Sequence, residues 1–160
     1  MEAPYSLLTS EAEYRAACDA VLALARREIQ IFDRDLARLQ IESRPRVALL
    51  AAFLQGGAPR RLRMVLHDPS PLQDDCPRLL QLIGNHAHLV EVRQTPDNLR
   101  QLADTHVFAD GCHGVRRFHI DQPRSALAHD NPDYLNPWRL RFEELWEQSL
   151  PCLRLNTTGL

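Results

Sequence analysis

Hydrophobic positions along this chain recur at two different spacings. Tyr14, Ala17 and Val21 follow one another every three or four residues, which places their side chains on one face of a helix. From residue 28 the pattern changes, and polar and apolar side chains alternate through Glu-Ile-Gln-Ile-Phe-Asp to residue 33, as they do in a strand. The first 33 residues therefore predict a helix followed by a strand.

The same order of helix and strand is predicted twice more. Capping residues and prolines mark the helix starts, which we place at Ser10, Ser43 and Asp75. Each helical stretch is followed by a short apolar run, and these runs predict strands over residues 28–33, 61–67 and 88–93. Because right-handed β-α-β crossovers join parallel neighbours, the three strands are expected to lie parallel in one sheet.

Residues 104–120 predict a β-hairpin. Gly111 and Gly114 bracket its turn, and the flanking residues alternate in polarity. His106 and Asp110 are four residues apart on the first strand, so both side chains are expected on the same face. The hairpin is therefore where the sequence offers candidate chemistry, an imidazole beside a carboxylate.

Prolines, aspartates and asparagines are frequent beyond the hairpin, and they predict an irregular loop over residues 121–136. Asn136 and Pro137 predict the start of a last helix. Its bulky apolar stripe is expected to pack in the core or at a subunit interface, and consists of Trp138, Phe142, Leu145 and Trp146. Residues 1–9 and 151–160 are expected to be terminal tails.

These elements together predict a three-layer α/β/α sandwich with a mixed, mostly parallel sheet and the hairpin as its antiparallel edge. With 160 residues, 44% of them hydrophobic and 25% charged, the chain has the balance of one soluble domain, residues 1–160. Asp33 and Asp35 fall at the carboxyl end of the first strand, where α/β sheets usually bind ligands, although helix capping or solvent exposure is the interpretation we favour.

The composition of the chain limits the classes of reaction and partner that it can have. The formal charge of -2 predicts no general attraction to nucleic acid, although local basic clusters remain compatible with it. All 19 basic residues are arginines, so Schiff-base, P-loop lysine and lysine general-base mechanisms are excluded. The four cysteines lie far apart without a C-x-x-C pair, which argues against a zinc knuckle and against disulfides. We expect no metal and no cofactor. Without a signal-like start or a long apolar run, a cytoplasmic protein with no membrane insertion is expected.

The order of elements, with a histidine on the hairpin after three helix–strand units, resembles one half of a phospholipase D-like protein, from about residue 27 to 146. That superfamily carries His-x-Lys followed four residues later by Asp, and its histidine is the nucleophile. His106 matches the histidine, but Phe108 stands at the lysine position and His113 at the aspartate position. The chain also resembles an uncharacterised bacterial domain family that is sometimes fused to acetyltransferases.

The resemblance implies a degenerate, non-catalytic domain that binds a phosphorylated ligand, a nucleic acid or a protein partner. In this hypothesis His106 and His113 supply imidazoles, and Arg116 or Arg117 clamps phosphate oxygens; a solvated strand edge is the plainer interpretation of the two arginines.

The alternative is an active phosphodiesterase or nuclease in which His106 is the nucleophile and a homodimer brings two copies of it together. A metal-dependent hydrolase that uses His106, Asp110 and His113 is a third hypothesis.

Overall fold

The computed structural model describes residues 3–153. The helices predicted from Ser10 and Ser43 begin at those caps, and Ser10 and Glu13 form the expected capping box. The helix predicted from Asp75 begins at Pro77, and the last helix is capped by Asn131 rather than by Asn136. The helices are α1 Glu11–Leu24, α2 Arg44–Leu54, α3 Ser70–Asp75, α4 Pro77–Asn85 and α5 Pro132–Gln148, with a 3₁₀ turn at Asp97–Leu99. The strands are β1 Ser6–Leu8, β2 Glu28–Asp33, β3 Arg61–Leu66, β4 Val90–Gln94, β5 Thr105–Ala109, β6 His113–His119, β7 Gln122–Ala128 and β8 Leu150–Pro151.

These eight strands form one mixed sheet in the order β1-β7-β6-β5-β2-β3-β4-β8. The three strands predicted to be parallel are parallel, because β3 pairs with β2 on one side and with β4 on the other. The other five pairings within the described residues are antiparallel. The expectation of a mostly parallel sheet is therefore wrong, because the hairpin carries a third long strand and both chain ends add short ones.

The loop predicted over residues 121–136 is instead strand β7 followed by the first turn of α5. Its prolines occupy positions that regular structure tolerates. Pro123 lies beside an irregularity in the β6–β7 register, and Pro132 is the first residue of α5 after an Asn131 cap. Pro137, expected to start the helix, lies inside it.

The expected tails also contain structure. Ser6–Leu8 pairs antiparallel with β7, and Leu150–Pro151 pairs with β4 at the opposite edge. Both strands are too short for the alternation of polar and apolar residues to be visible in the sequence. The rest of the expected C-terminal tail, from residue 154, lies outside the described residues.

Alternating strand side chains divide the apolar core between the two faces of the sheet. One part joins the sheet to α1, α2 and α4, and includes Ile29, Ile31, Leu62 and Val107. The other joins the opposite set of strand side chains to the aromatic stripe of α5, and includes Phe32, Val65, Phe142 and Trp146. The side chain of His106 lies on the α5 side, so α5 determines what surrounds it.

Candidate functional site

The predicted hairpin forms, with β5 and β6 as its strands, and places His106 inside the protein. Strand β5 lies between β2 and β6, and all five of its residues are buried. His106 pairs with Phe32 on one neighbouring strand and with Arg116 on the other. Only 1% of His106 is exposed.

Aromatic rings surround the His106 imidazole. Phe108, at the position of the superfamily's lysine, stacks on it with ring centroids 3.8 Å apart and an interplanar angle of 6°. The rings of Phe32 and Phe142 lie 5.8 and 5.6 Å away. Gly114 makes room for this arrangement, because a Cβ atom there would lie 2.4 Å from the Phe108 ring. The lysine position thus supplies apolar surface in place of a phosphate-binding cation.

Burial also determines the charge of His106. Neither ring nitrogen has a hydrogen-bond partner among the described residues. Desolvation, followed by the positive charges of Arg141 and Arg116, holds the pKa of His106 well below its ordinary value. The imidazole is therefore neutral, and both of its nitrogens are buried.

Asp110 has a structural role on the same hairpin. Its carboxylate accepts hydrogen bonds from the backbone N–H groups of Arg26, Arg27 and Glu28, at 2.9, 2.7 and 2.9 Å. Its own backbone adopts a φ of 57°, the left-handed conformation that a turn next to Gly111 requires. The carboxylate fixes the beginning of β2 rather than orienting His106.

His113 lies at the other end of the turn. Its Nδ1 accepts a hydrogen bond from the Asp130 backbone N–H at 3.0 Å, and its ring stacks on His129 with centroids 4.8 Å apart. The three groups of the metal-hydrolase hypothesis therefore lie in separate surroundings: His106 among aromatic rings, Asp110 on backbone N–H groups and His113 against His129. Within residues 3–153, no cluster of three or more histidine, cysteine or acidic side chains is arranged to hold a metal ion.

The two candidate phosphate-binding arginines differ in their surroundings. Arg117 is fully buried and donates two hydrogen bonds to the Glu11 carboxylate, at 2.9 and 2.5 Å, so it is not free to hold a ligand. Arg116 is half-buried, stacks on Trp138 with 3.4 Å from its guanidinium carbon to the ring centroid, and donates to the Tyr134 hydroxyl. Neither arginine is the solvated strand edge that the plainer interpretation expects.

A cleft of about 460 Å³ lies at the carboxyl ends of β2 and β3, where β5 begins. Neither Asp33 nor Asp35, the two carboxylates at the end of β2, lines this cleft. Asp33 is buried outside the cleft lining, and Asp35 accepts a hydrogen bond from the Ala37 N–H. The residues that line the cleft are Arg34, His67, Asp68, Arg100, Leu102, Ala103, Asp104, Thr105 and Ile120.

His67 forms a fixed wall of this cleft. Its Nδ1 lies 2.7 Å from the Thr95 hydroxyl and its Nε2 lies 2.8 Å from the Leu102 carbonyl oxygen. Because a carbonyl only accepts, Nε2–H donates to Leu102 and Nδ1 accepts from Thr95. Desolvation is the main cause that lowers the pKa of His67, and the positive charge of Arg100 acts in the same direction. The ring is therefore a neutral, oriented group.

Solved structures share this fold. Nuc from Salmonella typhimurium, a phospholipase D family member, superposes with a TM-score of 0.68 at 12% identity, covering 94% of this chain and 99% of its own. NucT from Helicobacter pylori gives 0.58 at 11% identity, covering 92% and 98%. TrmBL2, an archaeal chromatin protein with a novel mode of DNA binding, gives 0.65 at 11% identity, covering 95% of this chain and 56% of TrmBL2. The resemblance to the phospholipase D-like fold is confirmed.

Sequence comparison adds the family. No curated protein matches the chain. Residues 10–157 match a family described as a domain of unknown function, DUF7931, which agrees with the expected likeness to an uncharacterised domain family. Since the match spans most of the sequence, the chain belongs to the DUF7931 family.

Proposed function

We propose that this chain is a non-catalytic phospholipase D-like domain that binds a phosphate-bearing ligand. The observation that carries the proposal is the surroundings of His106. A histidine nucleophile needs an accessible nitrogen, a cation for the phosphate oxygens and a group that orients the ring. In this chain the nitrogens are sealed among aromatic rings, and Phe108 occupies the place of the cation.

Two observations support the binding half of the proposal. The proteins with a similar fold include a phospholipase D family member and an archaeal chromatin protein that binds DNA. Phosphate-bearing molecules are therefore a common class of partner for this fold. The chain also carries arginine as its sole basic residue type, and the planar guanidinium group suits phosphate oxygens. Arg117 contributes nothing to this, because Glu11 already binds it.

We further infer that residues 1–160 form one phospholipase D-like domain with helices on both faces of the sheet, the three-layer arrangement that the resemblance implies. The distribution of the core supports this inference, since α5 packs on strand side chains that alternate with those under α1 and α2. Within the described residues, no helix has the length and apolar character to cross a membrane.

Turnover of bis-p-nitrophenyl phosphate tests the non-catalytic half. We expect no release of p-nitrophenol by the wild-type protein, with or without EDTA. Turnover that survives EDTA and disappears in His106→Ala would establish the alternative, an active phosphodiesterase. Sedimentation of that active protein would then show whether it forms the homodimer that this alternative requires.

Calorimetric titration tests the binding half, with a short single-stranded oligonucleotide, a nucleoside monophosphate and inorganic phosphate as probes. We expect at least one of these probes to bind, more weakly as salt rises, since arginine–phosphate contacts are screened. Absence of heat with every probe would contradict the binding half.

A further inference from the structure

We propose that the cleft at the carboxyl ends of β2 and β3 binds a small phosphorylated organic molecule of nucleotide size, with Arg34 and Arg100 holding its phosphate. The inference rests on the proposed function, because it assigns that function a ligand class and a location. None of the cleft residues stands at a position of the superfamily's His-x-Lys signature.

The topology of the sheet creates this cleft. Strands β2 and β3 are parallel and end at the same edge, whereas β5 runs in the opposite direction and begins there. The cleft thus lies where the parallel part of the sheet meets the antiparallel part. Backbone segments leave the sheet in different directions at such an edge, and their side chains converge on the space between them.

Arg34 and Arg100 are the two arginines of the cleft, and both have weak ion pairs. Arg34 lies 3.3 Å from Asp35 and 3.7 Å from Asp121, with 42% of its side chain exposed. Arg100 lies 3.4 Å from Asp97, with 51% exposed. Pairs of this kind contribute little stability in water, so an incoming phosphate competes with them easily.

Buried arginines elsewhere in the chain differ clearly from these two. Arg63 donates to two carboxylates, those of Glu28 and Glu143, at 2.6 and 2.5 Å, with 5% of its side chain exposed. Arg117 is bound by Glu11 with none exposed. Such cations are already neutralised, whereas the cleft retains two that a ligand can use.

Acidic and apolar groups complete the cleft. Asp104 is neutralised by Arg141, which donates to both of its oxygens at 3.1 and 2.5 Å. Asp68 is exposed and ionised, since a backbone hydrogen bond from Ser70 lowers the pKa of its carboxyl. An ionised carboxylate repels phosphate but accepts hydrogen bonds from hydroxyl groups, as in a sugar. Leu102, Ala103 and Ile120 supply apolar surface for an organic part.

The dimensions and charge favour a small molecule over a nucleic-acid chain. A volume of about 460 Å³ is within the range of small-molecule sites. A polymer site needs cations along an extended track, whereas this chain has a net charge of -2 and several of its arginines have short ion pairs. The ligand that fits has one phosphate, hydroxyl groups near it and an apolar or planar part.

The test is calorimetric titration of the full chain with adenosine monophosphate, inorganic phosphate and a dT oligonucleotide. We expect adenosine monophosphate to bind more tightly than inorganic phosphate, because only the nucleotide reaches the apolar wall and Asp68. Arg34→Met and Arg100→Met should each weaken nucleotide binding about tenfold, the effect of losing a charge-assisted contact.

Arg78→Met is the matched control. Its side chain is 45% exposed and lies 3.5 Å from Glu42, so it resembles Arg34 and Arg100 in exposure and pairing but lies outside the cleft. We expect this variant to bind like the wild type. Ala103→Trp, which fills the cleft without removing charge, should abolish binding. Thermal unfolding checks that each variant folds. The two cleft arginines lie on different segments of the chain, so if one variant fails to fold, the other still tests the site.

Nucleotide binding that Arg34→Met, Arg100→Met and Ala103→Trp leave unchanged would overturn this site, while the proposed function stands. Binding of the oligonucleotide without binding of the nucleotide would overturn the ligand class and favour a polymer. No binding by any probe would overturn the proposed function together with this inference.

Discussion

His106 is a polar side chain in apolar surroundings. A buried donor or acceptor without a partner costs about 1–3 kcal/mol, and an apolar group of similar shape avoids that cost. We therefore expect His106→Phe to leave the free energy of unfolding unchanged at pH 7.5, or to raise it by about 1 kcal/mol, as measured by urea denaturation. A loss of more than about 2 kcal/mol would indicate a hydrogen-bond role for the imidazole.

The same variant should change how stability depends on pH. In the unfolded chain His106 binds a proton below about pH 6.5, whereas the buried ring stays neutral. The contribution of His106 to wild-type stability therefore becomes more unfavourable as pH drops through that value, and His106→Phe removes this contribution. The difference between the two proteins should grow from pH 7.5 to 5.5, while His88→Ala, at an exposed position, should behave like the wild type.

Asp33 makes the opposite contribution. Burial raises the pKa of its carboxyl from about 3.8 to about 6. Between these values the folded protein holds a proton that the unfolded chain has released, so stability falls as pH rises. Asp33→Asn should be more stable than the wild type above pH 6, by up to about 3 kcal/mol, with little difference at pH 4.

Urea denaturation at pH 4.5 and pH 7.5 measures this effect, and Asp97→Asn, at an exposed position, is its control. A wild type that gains stability relative to Asp33→Asn over this interval would contradict the argument.

One ion pair joins the first turn of helix α1 to the sheet. Glu11, in its first turn, accepts both hydrogen bonds that Arg117 of β6 donates. Glu11→Ala leaves a fully buried guanidinium without its carboxylate, which should cost about 3 kcal/mol of unfolding free energy. Glu13→Ala removes another acidic residue of the same turn, but its carboxylate accepts hydrogen bonds from Thr9 and Ser10 at the exposed surface, so its loss should be clearly smaller. Equal losses would show that the ion pair adds nothing beyond the cap.

Elements with a local signal could be predicted, whereas elements that depend on distant partners could not. The capping box at Ser10, the parallel strands and the hairpin turn at Gly111 follow from neighbouring residues, and the structure contains them. Strand β7 contains Pro123 and pairs across a register shift, so its signal is that of a loop. The two terminal strands are too short for a period to appear.

For the candidate site, the sequence predicted only the features that depend on residues close together along the chain. The sequence places His106 on a hairpin, but its burial depends on Phe142, 36 positions away on a helix whose docking face the pattern alone does not specify. The cleft combines Arg34 with Arg100, which meet because β2 pairs with β5. Both environments are products of strand order rather than of sequence spacing.

Over the whole molecule, the fold is shared with phospholipase D-like proteins, but the residues at the lysine and aspartate positions of the signature differ from those of the superfamily. Identities of 11–12% over nearly the whole chain preserve the sheet and helices seen in phospholipase D-like structures. At the signature positions this chain has an aromatic cluster, whereas Arg34 and Arg100 line a cleft at the carboxyl ends of β2 and β3. A shared fold therefore does not by itself assign a function, which has to be argued from the residues of the site.

The ionisation of His106 tests the central claim most directly, through nuclear magnetic resonance of the isotope-labelled imidazoles from pH 8 to pH 5. The chain has seven histidines, and the signal that His106→Phe removes identifies the relevant one. We expect that signal to remain neutral over the whole range, because burial among aromatic rings disfavours the charged form. Titration of His106 near pH 6.5 would show that the ring is open to water and would contradict the account.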